Sequence, residues 1–91
     1  MSADSPTDIR VQVRYFASLR EALGEGEAVL VSSTTTAGAL REQLAGRGGV
    51  HAEALGAGRA VRFARNQRMC SADQVLQEGD EFAFFPPVTG G

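Results

Sequence analysis

Residues 79–91 read GDEFAFFPPVTGG, and this stretch decides the architecture of the chain. The Gly-Asp pair predicts a turn into a strand that spans residues 81–85. Along such a strand Phe82 and Phe84 face one way, whereas Phe85 faces the other way. Core packing is the default for each phenylalanine. Because aromatic residues are enriched at interfaces, we also expect at least one of the three to contact a partner protein.

Two prolines separate this strand from a Gly-Gly sequence. Pro86 and Pro87 lack backbone N–H groups and fix φ at roughly −65°, so the sheet is predicted to end before them. Residues 86–91 are expected to form an extended, flexible tail that reaches about 20 Å at roughly 3.3–3.6 Å per residue. Gly90 and Gly91 lack Cβ atoms, so this tail can enter a narrow channel with the α-carboxylate of Gly91 as its chemical handle. A frayed terminus without a function is the alternative.

Length and composition limit the classes of protein to which the chain can belong. The chain has 91 residues, 43% of them hydrophobic, and a net charge of −2, as expected for one small domain. The negative charge argues against a nucleic-acid partner, and no apolar run approaches the ~20 residues of a membrane helix. Residues 1–8 are polar and acidic without the pattern of a signal peptide, so we expect a disordered extension and a cytoplasmic protein.

The titratable residues exclude several chemistries. All nine basic residues are arginine, so copies of this chain cannot be linked to one another through lysine side chains. One cysteine and one histidine cannot supply a closed zinc site or a four-thiolate cluster, so no metal site is predicted. We interpret Cys70 as structural rather than as a sulfur relay, and His51 as a surface residue.

The rest of the chain alternates between strand and helix patterns. Period-two alternation predicts strands at residues 9–15, 27–31, 61–65, 68–70 and 81–85. Helical spacing predicts a short helix from Phe16, Leu19 and Leu23, a long helix from Ala37, Leu40 and Leu44, and a further helical turn over residues 50–55.

Connections supply three further predictions. Asn66-Gln67 is expected to form a tight turn, because Asn tolerates a positive φ. Residues 75–76, both apolar, are expected to plug the core. Four arginines are interpreted as solvated, with a docking patch as the alternative: Arg14, Arg62, Arg65 and Arg68.

This order of elements predicts an α+β fold of the β-grasp, or ubiquitin-like, type. A mixed sheet of about five strands, with one long helix across one face, satisfies every apolar stripe. The β-grasp domain is expected to span residues 9–85, and the functional tail residues 86–91.

Three segments resemble the MoaD/ThiS family of sulfur carriers, which includes small subunits of molybdopterin synthase: residues 13–21, the Asn66-Gln67 turn and residues 79–91. The likeness runs from about Ile9 to Gly91. It implies that an ATP-dependent adenylyltransferase of the ubiquitin-activating type converts the Gly91 carboxylate to an acyl-adenylate. It further implies that a sulfur donor then converts this adenylate to a thiocarboxylate, and that the carrier itself binds no cofactor.

The resemblance also implies a partner. The charged tail of a family member enters the large subunit of molybdopterin synthase, which holds the active site, so the carrier is a non-catalytic subunit. There the sulfur is passed to cyclic pyranopterin monophosphate to form the molybdopterin dithiolene. The residues that would thread into the large subunit are Pro86, Pro87, Val88, Thr89 and Gly90. Arg65 departs from the family pattern, in which this position is often apolar.

Three other functions stay open at this stage. The chain could be a ubiquitin-like modifier joined through Gly91 to lysines of other proteins, since a lack of lysine prevents polymers but not single conjugation. It could be a sulfur carrier for thiamin or cysteine synthesis, although the FFPP sequence before the tail favours molybdopterin synthesis. It could also be an interaction module with an inert tail.

Overall fold

A computed structural model describes residues 8–56 and 58–87 of the chain. The elements in chain order are β1 (Asp8–Tyr15), α1 (Ala17–Leu23), β2 (Gly26–Ser32), α2 (Ala37–Ala45), α3 (Gly49–Leu55), β3 (Arg62–Arg65), β4 (Arg68–Cys70) and β5 (Glu81–Phe85). The predicted order of strands and helices is confirmed. β1 begins at Asp8, one residue before the start that the sequence predicts. The remainder of the predicted extension and tail residues 88–91 lie outside the described residues.

The five strands form one mixed sheet in the order β2-β1-β5-β3-β4. β1 pairs antiparallel with β2 and parallel with β5, while β3 pairs antiparallel with both β4 and β5. A parallel pair needs a long connection, and here the helices α2 and α3 lie in the segment between the first hairpin and the last three strands. This is the predicted β-grasp arrangement, with β5 in the centre of the sheet.

The helices cover one face of the sheet and leave the other open. Alternate residues of β1, from Ile9 to Tyr15, are buried on the covered face, and the residues between them are exposed. Leu40 and Leu44 of α2 are completely buried with them, as the predicted helical stripe requires. We call the face opposite the helices the open face.

The prediction of one long helix across the sheet is slightly off, because the long helix is short and shares that face with a second helix, whereas the further helical turn predicted over residues 50–55 is confirmed as α3. α2 has nine residues and is followed by the separate seven-residue α3. Gly48 and Gly49 have φ values of 79° and 56°, a left-handed conformation that glycine adopts without strain and that ends an α-helix. At the other end, Thr36 caps α2, since its Oγ1 accepts a hydrogen bond from Ala39 N at 3.2 Å.

Two apolar residues lie elsewhere than predicted. Phe16 precedes α1 as its N-cap residue and is 42% exposed, while Leu19 from the same predicted stripe is buried. Of the predicted core plug, Leu76 is buried, but Val75 is 46% exposed. Val75 instead forms an isolated bridge with Thr36, which ties the loop before β5 to the start of α2.

The predicted Asn66-Gln67 turn is confirmed, since both residues have positive φ values, 51° and 71°. It joins β3 to β4, and the register of these strands determines on which face of the sheet each of their arginines lies. The register places Arg62 on the open face, in line with Phe85, whereas Arg65 is paired with Phe82 of the covered face. The four arginines considered as a docking patch are therefore divided between the two faces.

Candidate functional site

The candidate tail follows directly after the central strand β5. It is hydrogen-bonded on both sides, by β1 and by β3, and ends at Phe85 as predicted. Pro86 and Pro87 follow and are half-buried against the body of the protein. The remaining predicted threading residues (Val88, Thr89, Gly90) and the predicted sulfur-bearing Gly91 lie outside the described residues.

Packing of aromatic rings fixes the position of β5. Phe82 and Phe84 are completely buried, with ring centroids 5.2 Å apart in an edge-to-face arrangement. Tyr15 of β1 stacks on Phe84 with a centroid distance of 6.0 Å, and Phe63 of β3 meets the edge of Phe84 at 5.6 Å. Such pairs contribute about 0.5–1.5 kcal/mol each beyond the area they bury. The strand before the tail is therefore a rigid part of the core.

This packing corrects the predicted partner interface. The side chains of Phe82 and Phe84 have no exposed surface, so they anchor the core and cannot contact a partner without unfolding of the sheet. Phe85 lies on the open face and is half-buried. Of the three predicted contact residues, only Phe85 is placed where a partner can reach it.

A shallow hollow surrounds Phe85 on the open face. Its volume is about 520 Å³. The apolar part of its lining comes from Phe16, Ala64, Ala83 and Phe85, and the polar part from Arg14, Gln67 and Glu81. Arg14 donates a hydrogen bond from Nη1 to Glu81 Oε2 at 3.2 Å, and its guanidinium lies 6.0 Å from the centre of the Phe16 ring. An apolar centre with a charged rim is the composition of a protein–protein contact.

Phe16 is a part of this surface that the sequence pattern assigned to the apolar stripe of the first short helix. It follows β1, and its backbone N–H donates to Phe84 O at 3.1 Å, so it is tied to the strand that leads to the tail. The next residue, Ala17, has a φ of 54°, a left-handed conformation that is strained for alanine. The sharp turn from strand to helix is what leaves Phe16 outside α1, and no signal in the sequence predicts a positive φ at alanine.

A polar cluster joins the first hairpin to the segment that follows α2. The Tyr15 hydroxyl donates to Glu27 Oε2 at 3.1 Å, and Arg47 Nη1 donates to the same carboxylate at 2.8 Å. Burial, and then the charge and hydrogen bond of Glu27, raise the pKa of Tyr15 above its ordinary value. His51, predicted to be a surface residue, is half-buried, with Nε2 4.0 Å from Glu27 Oε2. This cluster holds the helices to the first hairpin and has no contact with the hollow.

Cys70 has the environment of a structural thiol. It is half-buried at the end of β4, and burial raises the pKa of its thiol, an effect that the charge of Arg65 offsets only in part. A raised pKa disfavours the reactive thiolate. Among residues 8–56 and 58–87, no three His, Cys, Asp or Glu side chains are grouped so as to hold a metal ion. No helix in these ranges is long and apolar enough to cross a membrane.

The mixed five-stranded sheet with its helices on one face defines a ubiquitin-like protein of the β-grasp class. The chain belongs to the ThiS family, whose model matches residues 13–91. The molybdopterin synthase sulfur carrier subunit of Haemophilus influenzae is 42% identical over 81 residues, which are 89% of this chain and 99% of the relative. The protein of the same name from Escherichia coli is 41% identical with the same coverage.

Solved structures support the same class. One is a chain from a complex of subunits 1 and 2 of molybdopterin-converting factor from Helicobacter pylori (TM-score 0.60, 26% identity, 91% of this chain and 100% of that chain). Another is small archaeal modifier protein 1 of H. volcanii (TM-score 0.71, 26% identity, 88% and 99%). The ubiquitin of Caldiarchaeum subterraneum is similar in fold alone (TM-score 0.63, 14% identity, 93% and 100%).

Proposed function

We propose that this chain is the sulfur carrier subunit of molybdopterin synthase and that Gly91 is the residue that carries the sulfur. The family and the near-complete coverage of two sulfur carrier subunits support this assignment. The structural observation that carries it is the exit of the chain from the sheet. A central, core-anchored strand ends at Phe85 and passes into two prolines, so the segment after it starts from a fixed point and in a restricted direction.

The chemistry assigned to the tail follows from the weakness of a carboxylate as an electrophile. An adenylyltransferase of the ubiquitin-activating type uses ATP to convert the Gly91 carboxylate into an acyl-adenylate, which has a good leaving group. A sulfur donor then forms the bond from sulfur to the acyl carbon and displaces AMP, leaving a thiocarboxylate. Two easier steps replace one difficult transfer, which is the usual logic of covalent catalysis.

The β-grasp domain positions this tail for its partner. Residues 86–90 thread into the large subunit, where the thiocarboxylate sulfur passes to cyclic pyranopterin monophosphate, and two such transfers complete the dithiolene of molybdopterin. Phe85 and the surrounding hollow of about 520 Å³ bind the large subunit outside its channel. This division leaves the carrier without catalytic side chains of its own and places the active site on its partner.

A modifier function is the second candidate, because the fold is similar to that of an archaeal modifier protein at 26% identity. The two functions share adenylation of Gly91 and differ in the acceptor. A modifier delivers its acyl group to lysines of other proteins, whereas a carrier delivers sulfur. The higher identity to two sulfur carrier subunits, 41–42%, favours the carrier.

Reconstitution with a large subunit, an adenylyltransferase and a sulfur donor tests the proposal. The full chain is expected to support molybdopterin formation, and a chain without Gly90 and Gly91 is expected to support none. Thermal melts of the two chains should coincide, because the core residues identified within residues 8–56 and 58–87 all lie before the prolines. Molybdopterin formation by the truncated chain would contradict the assignment to Gly91. Joining of the full chain to lysines as the main product would favour the modifier.

A further inference from the structure

A second groove lies beside the point at which the described chain ends. Its volume is about 410 Å³, and Pro87 forms part of its wall together with Phe63 and Met69. Arg41, Arg59 and Arg62 also line it, while no Asp or Glu of the described residues does. We call it the tail-side groove. It therefore combines apolar surface with three of the nine arginines of the chain.

The Arg41 guanidinium forms hydrogen bonds with backbone carbonyls, and these bonds hold the loop that contains Arg59. Its Nε donates to Leu55 O at 2.7 Å, and its Nη2 donates to Gly56 O at 2.9 Å and to the carbonyl of Arg59. Arg59 in turn donates from Nε to Glu53 O at 2.8 Å. These bonds tie the end of α3 to α2 and hold the Arg59 side chain in one place, which lowers the entropic cost of using it in a contact.

Arg59 and Arg62 differ from four other arginines of this chain in their charge environment. Arg14, Arg20, Arg47 and Arg65 each form an ion pair with a carboxylate. Within residues 8–56 and 58–87, neither Arg59 nor Arg62 lies within 4.0 Å of a carboxylate oxygen, and both residues are exposed.

The acidic groups at β5 lie at its other end. Glu78 and Asp80 belong to the turn that leads into β5, one strand length away from Pro87. The chain as a whole carries a net charge of −2, yet the described lining of the tail-side groove holds three arginines and no carboxylate; Glu53 lines the neighbouring hollow with Arg59 and Pro86. Such a separation of charge orients an approaching partner and raises the rate of association.

We propose that the tail-side groove docks an acidic surface of the large subunit, next to the channel that receives the tail. This inference rests on the proposed function, since it names the contact that guides the same tail into the same partner. Arginine and methionine are both enriched in protein interfaces, and Met69 is 58% exposed at the groove. A nucleic-acid occupant would need a broader basic surface than these two exposed arginines supply in a negatively charged chain.

The test compares two double variants with the same change in charge. Arg59→Gln with Arg62→Gln removes the two exposed arginines of the groove and keeps Arg41, whose guanidinium is bonded to backbone carbonyls. Arg10→Gln with Arg68→Gln removes two exposed arginines outside it, neither of which is paired with a carboxylate among the described residues. Association with the purified large subunit is followed by stopped-flow fluorescence at about 20 mM and at about 0.5 M salt, where screening by ions is weak and strong respectively.

The groove variant is expected to associate roughly threefold to tenfold more slowly than the wild type at low salt, and at nearly the same rate at high salt. The control variant should stay within about twofold of the wild type at both. Equal effects of the two double variants would overturn the proposal, because general charge would then account for the rate. A loss that persists at high salt would also overturn it, in favour of an apolar contact.

This design separates the proposal from the function on which it rests. If the wild-type chain binds the large subunit and the groove variant behaves like the control, only the groove assignment fails. If the wild-type chain does not bind the large subunit, the sulfur carrier function fails and the groove proposal fails with it. Far-ultraviolet circular dichroism of all variants checks that the exposed substitutions leave the fold unchanged.

Discussion

Arg65 donates a hydrogen bond from Nε to Asp80 Oδ2 at 2.6 Å, across the sheet from β3 to the turn before β5. Asp80 is buried, and its carboxylate also accepts from Asn66 Nδ2 at 3.0 Å and from the backbone N–H of Gln77 at 2.8 Å. Asn66 in turn accepts a bond from Glu81 N at 2.9 Å. These bonds join the β3–β4 hairpin to the start of the strand that carries the tail. They also give the cation at position 65 a buried carboxylate partner.

The Asp80 carboxylate should make the stability of the fold depend on acid. Burial alone would raise the pKa of Asp80, but the hydrogen bonds from Arg65, Gln77 and Asn66 outweigh burial and hold that pKa below its ordinary value. A carboxyl with a lower pKa in the folded state stabilises the fold above its unfolded pKa of about 3.9, and this stabilisation is lost as pH falls through the folded pKa.

Asp80→Asn is therefore expected to lower the melting temperature at pH 7 and to flatten its fall between pH 5 and pH 2, relative to the wild type. Thermal melts by circular dichroism at several pH values measure both effects. Asp73→Asn, a change at an exposed carboxylate in the same connection, serves as the control. Parallel pH profiles for the wild type and Asp80→Asn would show that Asp80 has no special role in acid stability.

Local pattern predicted the strands well because each strand is half-buried, and burial of one face imposes alternation on the sequence. The separation of Phe82 and Phe84 from Phe85 followed from that alternation. The alternation did not predict which face would be exposed, that of Phe82 and Phe84 or that of Phe85. The packing of the helices decides which face is covered. The Arg65–Asp80 pair could not be predicted either, since it joins residues that are fifteen positions apart and have no shared pattern.

The left-handed conformation of Ala17 leads to an unusual prediction about glycine. A non-glycine residue in this region costs about 1–2 kcal/mol, whereas glycine in place of alanine costs roughly 0.5–1 kcal/mol in an ordinary helix. Ala17 has a φ of 54°, so glycine at this position would relieve strain in the folded state. This gain offsets the entropic cost of the greater freedom that glycine gives the unfolded chain. Ala17→Gly is therefore expected to leave the free energy of unfolding unchanged or to raise it by up to about 1 kcal/mol.

Ala22→Gly in the same helix is the matched control, since Ala22 is exposed and lies within α1. It should lower the free energy of unfolding by about 0.5–1 kcal/mol. Urea denaturation measures both variants. If Ala17→Gly destabilised the protein as much as Ala22→Gly did, the strained turn that places Phe16 on the open face would be absent in solution.

Phe85 should contribute to binding of the large subunit while contributing little to the core. Phe85→Ser is expected to weaken the complex by more than about 1.4 kcal/mol, which is roughly tenfold in the dissociation constant. Isothermal titration calorimetry with the large subunit measures this change. Leu30→Ser is the control, because Leu30 is an apolar residue of β2 that is 58% exposed and does not line the hollow. Equal binding by the two variants would remove Phe85 from the interface.

The central claim is that the α-carboxylate of Gly91 carries the sulfur, and the mass of the charged protein tests it most directly. The chain is incubated with an adenylyltransferase, ATP and a sulfur donor, digested, and analysed by mass spectrometry. The account predicts that one oxygen is replaced by sulfur and that the change maps to the peptide that ends in Gly91. Sulfur found on Cys70 as a persulfide, with an unchanged peptide at Gly91, would contradict it.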